Sequence, residues 1–430
     1  MLNYAKYTKH IDKEVVKILK YKVSIKNIKY YDYGKISEKK SVVLIREYED
    51  ENGIIVTIPS CLNKYLLRWR YKSVNNAKNS AHLVASFLNF LIEQSQVSDC
   101  VYEELKNSGL YGLNFSHAAD FLNYCISVKN INQRSAIRYA SALINFYKFL
   151  TEAKIIKGSD EPFKLYDINI FNHPEYLVYF PNKENVKIKK LVNLEEEYWR
   201  LFIKISNIVA PEITLGIVFQ FFGGLRRGEV VNIKFTDATF PHKNIQDDIL
   251  LTLKDCKDEL FKDMSGVDVS KCEVKKPRNQ TVFNFDGNLK TYYEQHIELR
   301  NKIAKENNSD SPAMFLGKNG QAMTGTEYEN KWMKVKKRFM DFIRNEDYLQ
   351  YIALKERTWG THIGRGIFTN LCLKYKIAED ARELANLRGD SRIESAQAYI
   401  DDFKKMEIVK RTINMVSDKE KYNEPQYKGK

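Results

Sequence analysis

No run of 18 or more apolar residues occurs in the 430-residue chain, so no segment reads as a membrane-spanning helix. The amino terminus lacks the charged-then-apolar pattern of a leader, and a soluble, cytosolic protein is expected. Cysteines are few and scattered: Cys61, Cys100, Cys125, Cys256, Cys272 and Cys372 form no C-x-x-C pair. That spacing argues against a disulfide framework and against a zinc site. There is no G-x-x-x-x-G-K-[ST] and no carboxylate cluster of metal-site type, so neither a nucleotide nor a metal cofactor is expected. No internal repeat or low-complexity tract stands out.

What is present points elsewhere. Hydrophobic residues make up 43% of the chain, enough for two or three domains with their own cores. Lys plus Arg number 69 against 55 Asp plus Glu, a net charge of +14. Such an excess implies a polyanionic partner, because basic side chains bind phosphates by displacing condensed counterions. Composition alone does not separate DNA from RNA or from an anionic membrane.

The pattern changes along the chain. Residues 1–64 are rich in Lys, Ile and Tyr, with strand-like Ser41–Ile45 and Ile54–Ile58 flanking an Asn52-Gly53 turn signal. This predicts a small β segment, either a cap on the next domain or an added DNA-binding arm. From 65 to 155 the spacing is helical: Val84, Phe87, Leu88 and Leu91 form one stripe, and Ile137, Ala140, Ile144 and Tyr147 another. Arg134 and Arg138 lie one turn apart, off the second stripe, as candidate phosphate contacts. Residues 156–191 are interrupted by Gly158, Pro162, Pro174 and Pro181 and end in Lys183, Lys187, Lys189 and Lys190. They read as a linker that either tracks a nucleic-acid backbone or is a solvated tether. A larger domain spans 192–416, and a polar tail 417–430.

The chemistry-bearing residues fall in that larger domain. An apolar helix, Ile213–Phe222, runs into Gly223-Gly224-Leu225-Arg226-Arg227-Gly228-Glu229-Val230. The paired glycines allow a sharp turn, so that Leu225 anchors inward and Arg226 enters a cleft. Glu229 begins the next helix, where it can orient an arginine. His362-x-x-Arg365 opens another helix, with Phe368, Leu371 and Cys372 facing inward. Ala378–Leu387 reads as a helix ended by Gly389, and Ser391-x-x-Glu394 as a capping box that starts the helix carrying Tyr399. Between the two arginine segments, Ile249–Leu253 and Thr281–Phe283 look like strands, with Lys275-Lys276-Pro277-Arg278 leading into the second.

Arg226, Lys275, His362, Arg365 and Tyr399, in this order, resemble the catalytic set of the tyrosine recombinase (phage integrase) family. The first arginine segment continues through Val230, Ile233 and Phe235 to Asp237, as in that family, and Tyr399 follows Arg365 by 34 residues. The resemblance covers about residues 70–405. It implies a mainly α fold with a small β component: a helical, SAM-like core-binding domain followed by an α+β catalytic domain. It further implies attack by Tyr399 on a DNA phosphate to give a 3′-phosphotyrosyl ester, with no ATP or metal. Arg226 and Arg365 would clamp the non-bridging oxygens. Lys275, with Lys276 as the alternative, would protonate the leaving 5′ oxygen, and His362 would take the tyrosine proton or position the phosphate. The implied partners are duplex recombination sites and three further copies of the chain, a homotetramer on DNA passing through a Holliday junction. Integration or excision of a mobile element, at a prokaryotic nucleoid, is the implied setting.

Three positions depart from the family pattern. Asp390 stands where His or Trp usually hydrogen-bonds the phosphate, and its register to Tyr399 is kept. A carboxylate there would repel a phosphate unless neutral or turned toward Arg388 or Arg392. Gly366 replaces a frequent His, and Gln280 a common arginine. The separation of Arg226 from the lysine segment is long, so residues around 254–272 read as an insertion. Residues 402–416 (Phe403, Met406, Val409, Thr412, Ile413) continue an amphipathic helix that packs on a neighbouring protomer or on its own domain. Two other readings share these residues: a type IB topoisomerase-like DNA relaxer, and a DNA-binding regulator that kept the fold and lost catalysis.

Overall fold

The computed structural model describes residues 18–32, 34–49, 53–69, 73–97, 102–156, 168–182, 193–240, 247–390, 392–394, 396–397 and 400–401. The chain divides into two compact units, Met1–Lys189 and Lys190–Lys430.

In the first unit, strands β1 (Ile18–Asp32), β2 (Lys35–Glu49) and β3 (Ile55–Pro59) form an antiparallel sheet in that order. Facing pairs such as Val23↔Leu44 and Ile25↔Val42 share one side of the ribbon, as the two-residue period of a strand requires. That side packs on short α1 (Asn63–Leu66) and on α2 (Val74–Val97), and α3 (Glu103–Ser108), α4 (Phe115–Ser127) and α5 (Gln133–Glu152) contribute to the same hydrophobic cluster. Asn89 of α2 clips the sheet to the helices: its side chain accepts from Tyr21 N at 2.7 Å and donates to Tyr21 O at 3.0 Å. The β2–β3 pair contains both expected strands, whereas β1 is a strand that the sequence reading did not single out.

The α2 stripe of Val84, Phe87, Leu88 and Leu91 is buried as its spacing predicts. The α5 stripe needs a correction. Ile137 is 42% exposed, and the buried positions are Ala136, Ala140, Leu143, Ile144 and Tyr147. At 3.6 residues per turn, position 136 rather than 137 lies above 140 and 143, so Ile137 joins Arg134 and Arg138 on the exposed face.

The second unit is built around α7 (Thr214–Gly223), whose residues are all buried. Packed about it are α6 (Glu196–Val209), α10 (Leu289–Glu306), α13 (Ile363–Lys374) and strand β6 (Arg278–Val282). Short α8 (Arg227–Val230) follows α7, and long α11 (Gly325–Glu346) packs on α6 and α8. It is followed by α12 (Tyr348–Lys355). Strands β4 (Ala238–Thr239), β5 (Ile249–Leu253) and β6 (Arg278–Val282) form a second antiparallel sheet. Helix α14 (Ala381–Arg388) starts three residues later than its apolar pattern predicts, and the described residues between 394 and 401 are helical again. Asp380 caps α14, accepting from the backbone of Arg382 and Glu383, and the chain before a cap is not helical. Among the described residues the fold is therefore mainly α with two small antiparallel sheets.

The β5–β6 connection is folded and has a core of its own. It carries α9 (Lys257–Leu260) and buries Phe261, Val269, Cys272 and Val274. Asn232, next to the first arginine segment, holds both of its ends. Its amide oxygen accepts from Cys256 N at 2.7 Å, and its amide nitrogen donates to the carbonyls of Cys272 and Gly228.

Candidate active site

Leu225 is fully buried and Arg226 leaves the core at its side, 26% exposed. The turn depends on Gly224, which adopts φ +65° at the end of α7, where a Cβ would overlap the Phe368 ring at 2.5 Å. Arg226 then caps α8 in a reciprocal way. Its backbone N–H donates to Glu229 Oε2 at 2.8 Å and its Nη1 to Oε1 at 3.0 Å.

Glu229 is only 1% exposed and carries a second arginine. Arg278, the first residue of β6, donates from Nη1 to Oε1 at 2.8 Å and from Nη2 to Oε2 at 3.1 Å. Burial by itself would raise the Glu229 pKa. The hydrogen bonds and charge of Arg278, followed by Arg226, outweigh it and hold the carboxyl below its usual range. Arg278 is in turn placed by Gln280, which accepts from its Nε at 2.8 Å and donates to Leu387 O at 2.8 Å.

Arg365, on the first turn of α13, is 3% exposed. Nη1 donates to Gly224 O at 2.6 Å and Nη2 to Arg388 O at 3.1 Å, so its plane is fixed by the ends of α7 and α14. Burial and the charges of Arg226 and Arg388 draw its pKa down to about 9, still protonated at neutral pH. His362 sits just ahead of it at the cap of α13 and keeps an exposed edge. Crowding by the packed cluster, then the charges of Arg365, Arg226, Arg227 and Arg388, hold its pKa below that of an ordinary histidine.

Asp390 is at the centre of this cluster. Its Oδ1 accepts from Arg226 Nη2 at 2.7 Å and from Arg365 Nη2 at 2.5 Å, and Arg388 Nε lies 3.1 Å from Oδ2. The carboxylate is thus turned toward Arg388, one of the two orientations expected from the sequence, but it also lies between the two arginines of the expected clamp. Gly389 before it takes φ +63°, and a Cβ there would meet the Arg278 guanidinium at 2.5–2.7 Å.

Of the expected site residues, Arg226, Glu229, His362, Arg365 and Asp390 come together. Lys275 and Lys276 are exposed. Their segment is bracketed by two contacts with α8: Glu273 backbone lies against Gly228, and Arg278 bonds Glu229. Tyr399, the linker residues Lys187, Lys189 and Lys190, and residues 402–416 lie outside the described residues. Arg134 and Arg138 belong to the first unit and are exposed.

The sequence points to Arg278 only as the end of a basic run and to Arg388 only as a possible partner of Asp390, whereas both are members of the cluster. Arg388 is 4% exposed and donates from Nη1 to Thr369 Oγ1 at 3.1 Å. The available signals were weak: Arg278 closes a basic run usually read as solvated, and Arg388 directly precedes Gly389. Among the described residues, no group of three or more His, Cys, Asp or Glu side chains is placed to hold a metal ion. No described helix is long and apolar enough to cross a membrane.

Neither a family model nor a curated protein matches the sequence. Solved structures match the fold. The XerH site-specific recombinase bound to palindromic difH substrate, in a post-cleavage complex, aligns at 15% identity. The alignment covers 81% of this chain and 82% of that one, with a TM-score of 0.50. The XerH pre-cleavage complex with difH aligns at 15% identity over 79% of this chain and 80% of that one, also with a TM-score of 0.50. The Tn1549 transposon integrase in complex with circular intermediate DNA aligns at 15% identity over 78% and 93%, with a TM-score of 0.46. At such identities the likeness is one of architecture, and this chain has the tyrosine recombinase fold.

Proposed function

We propose that this chain cleaves and rejoins duplex DNA at specific sites through a 3′-phosphotyrosyl intermediate, integrating or excising a mobile element. One observation carries the reading: the guanidinium groups of Arg226 and Arg365 converge on a single oxygen, at 2.7 and 2.5 Å. Two arginines that share one carboxylate oxygen are spaced to share one phosphate oxygen. Guanidinium groups present flat, fixed, charge-assisted donors. The XerH structures that share the fold were captured with DNA substrate, before and after cleavage.

The charges fit the reaction. Arg226, Arg278, Arg365 and Arg388 face two carboxylates, Glu229 and Asp390, which leaves two positive charges in the cluster. A phosphodiester carries one negative charge and gains a second as a nucleophile adds to phosphorus. Stabilisation therefore grows toward the transition state, by roughly 3 kcal/mol per well-placed donor. Tyr399 is the nucleophile on this reading, placed by its register nine residues after Asp390. Its attack forms the phosphotyrosyl ester and releases a 5′ hydroxyl, and the reverse step rejoins the strand with no external energy source. His362, its pKa lowered by the arginines around it, is neutral at pH 7 and accepts the phenolic proton. Lys275, or Lys276 beside it, protonates the leaving oxygen from a segment tied at both ends to α8.

Arg134 and Arg138 on the exposed face of α5 contact phosphates without reading sequence, together with Lys187, Lys189 and Lys190. Strand exchange takes place in a tetramer of this chain. A second reading, a DNA-binding regulator without catalysis, is favoured by the position of the Asp390 carboxylate within the arginine pair.

A library of nicked duplexes, randomised around the nick, separates the two. On the proposed reading a denaturant-resistant protein–DNA band forms and disappears in Tyr399→Phe. DNA binding with no covalent band from the wild-type protein or from Asp390→Asn assigns the regulator.

A further inference from the structure

We infer that the Asp390 carboxylate is a built-in competitor for the phosphate site, and that a DNA phosphate must displace its Oδ1 before the arginine pair can act. The inference rests on the proposed reading of that site as a phosphate clamp. Oδ1 takes one donor from each of Arg226 and Arg365, while Oδ2 faces Arg388 Nε. A single-atom anchor of this kind duplicates the contact that a non-bridging phosphate oxygen would make.

The division of labour between the two oxygens gives displacement a path. Arg388 is held independently by Thr369 Oγ1 at 3.1 Å. Arg365 is held independently by the carbonyls of Gly224 and Arg388. Neither guanidinium needs Asp390 to keep its place. Rotation of the carboxylate toward Arg388 would free Nη2 of both Arg226 and Arg365 without opening the rest of the cluster. The same carboxylate partly neutralises four closely packed arginines while no DNA is bound, which explains why a negative side chain is tolerated at this position. The consequence is selectivity by context. A lone phosphate meets a filled site, whereas a duplex anchored elsewhere on the protein brings its phosphate at high local concentration and wins the exchange.

The test uses the full-length chain, inorganic phosphate as the probe, and Asp390→Asn with Asp390→Ser as a second variant. Binding is read by titration calorimetry and by the phosphate dependence of the thermal midpoint. The expected result is at least tenfold tighter phosphate binding in both variants, and a midpoint that starts lower than wild type and climbs more steeply with phosphate. A variant that folds only when phosphate is supplied supports the inference equally, because the anion then replaces the lost charge. Equal phosphate affinity in wild type and variants, or unfolding that phosphate does not rescue, overturns it. The covalent-band assay on the same proteins reports separately on the recombinase reading. Tighter phosphate binding with no band retains the competitor and removes the catalysis, and a band with unchanged phosphate binding does the opposite.

Discussion

Arg278 and Glu229 form a two-pronged ion pair, Nη1–Oε1 at 2.8 Å and Nη2–Oε2 at 3.1 Å, that joins the first strand position of β6 to the base of α8. Glu229 simultaneously holds Arg226 through both its backbone N–H and its Nη1. One buried carboxylate therefore sets the position of two arginines on separate elements, and four short bonds satisfy it.

Replacing Glu229 by Gln should unfold the site rather than adjust it. The amide keeps the shape but leaves Arg278 without its counter-charge and Arg226 with Asp390 alone, and breaking a buried pair costs about 3–5 kcal/mol. Urea unfolding of the two proteins measures this directly. A loss within experimental scatter of wild type would mean that Arg278 and Arg226 find other partners.

Acid should have a related effect. The Glu229 pKa is held below the ordinary value of 4.5 in the folded state. Its contribution is then complete above pH 4.5 and fades as pH falls from there through the folded pKa, because the unfolded chain binds the proton first. Between pH 5 and 3, wild type should lose more stability than Glu229→Gln, a difference visible in parallel melting curves.

The two clamp arginines should differ in what they cost. Arg226 is a quarter exposed, whereas Arg365 is buried and satisfies the carbonyls of Gly224 and Arg388. Arg365→Ala leaves these acceptors unpaired and should lower stability by several kcal/mol, on the order of 1–3 for each lost partner. Arg226→Lys should change the melting temperature little yet reduce covalent-complex formation by ~10²- to 10³-fold, as loss of one oxyanion donor does. Paired melting and cleavage measurements check the contrast; equal stability losses would contradict it.

Gly389→Ala tests the approach of α14 to β6. The φ of +63° is strained for alanine, and the added methyl would meet Arg278 within 2.7 Å. A destabilisation of roughly 1–3 kcal/mol is expected, accompanied by loss of the Arg278–Glu229 pair. Alanine at Gly266, which has a similar φ of +68° but open space around it, is the control and should cost less.

His362 should titrate below 6.5, since burial and then four arginines oppose its protonation. Folded protein thus binds that proton more weakly than unfolded chain, and stability falls as pH drops below 6.5. Cleavage should be level above pH 6.5 and decline below it as the acceptor is lost. Proton NMR of the ring gives the midpoint, and filling the clamp with phosphate should move it upward. A midpoint above 6.5 in the unliganded protein would remove His362 from the role of proton acceptor.

The chain's local chemistry is readable from its residues alone. A left-handed glycine after an apolar helix, an arginine and glutamate three apart, and an H-x-x-R at a helix start are all decided within one or two turns. The structure forms each of them where the residues place it. The α2 stripe was equally legible because a helix repeats its buried face every 3.6 residues. On α5 the same rule chose Ile137 over Ala136, since a small alanine carries little hydrophobic signal although it is fully buried.

The membership of the charged cluster was legible only in three dimensions. Glu229 and Arg278 are 49 positions apart, and Arg226 and Asp390 164. No local spacing rule brings such pairs together. They meet because α7, α13, α14 and β6 pack around a shared apolar core, and charged groups delivered to its edge must then neutralise one another. Sequence was enough to say which residue types stand at the turns and caps. Which oxygen each guanidinium holds, and that Asp390 lies inside the arginine pair instead of beside it, followed from how distant segments close against each other.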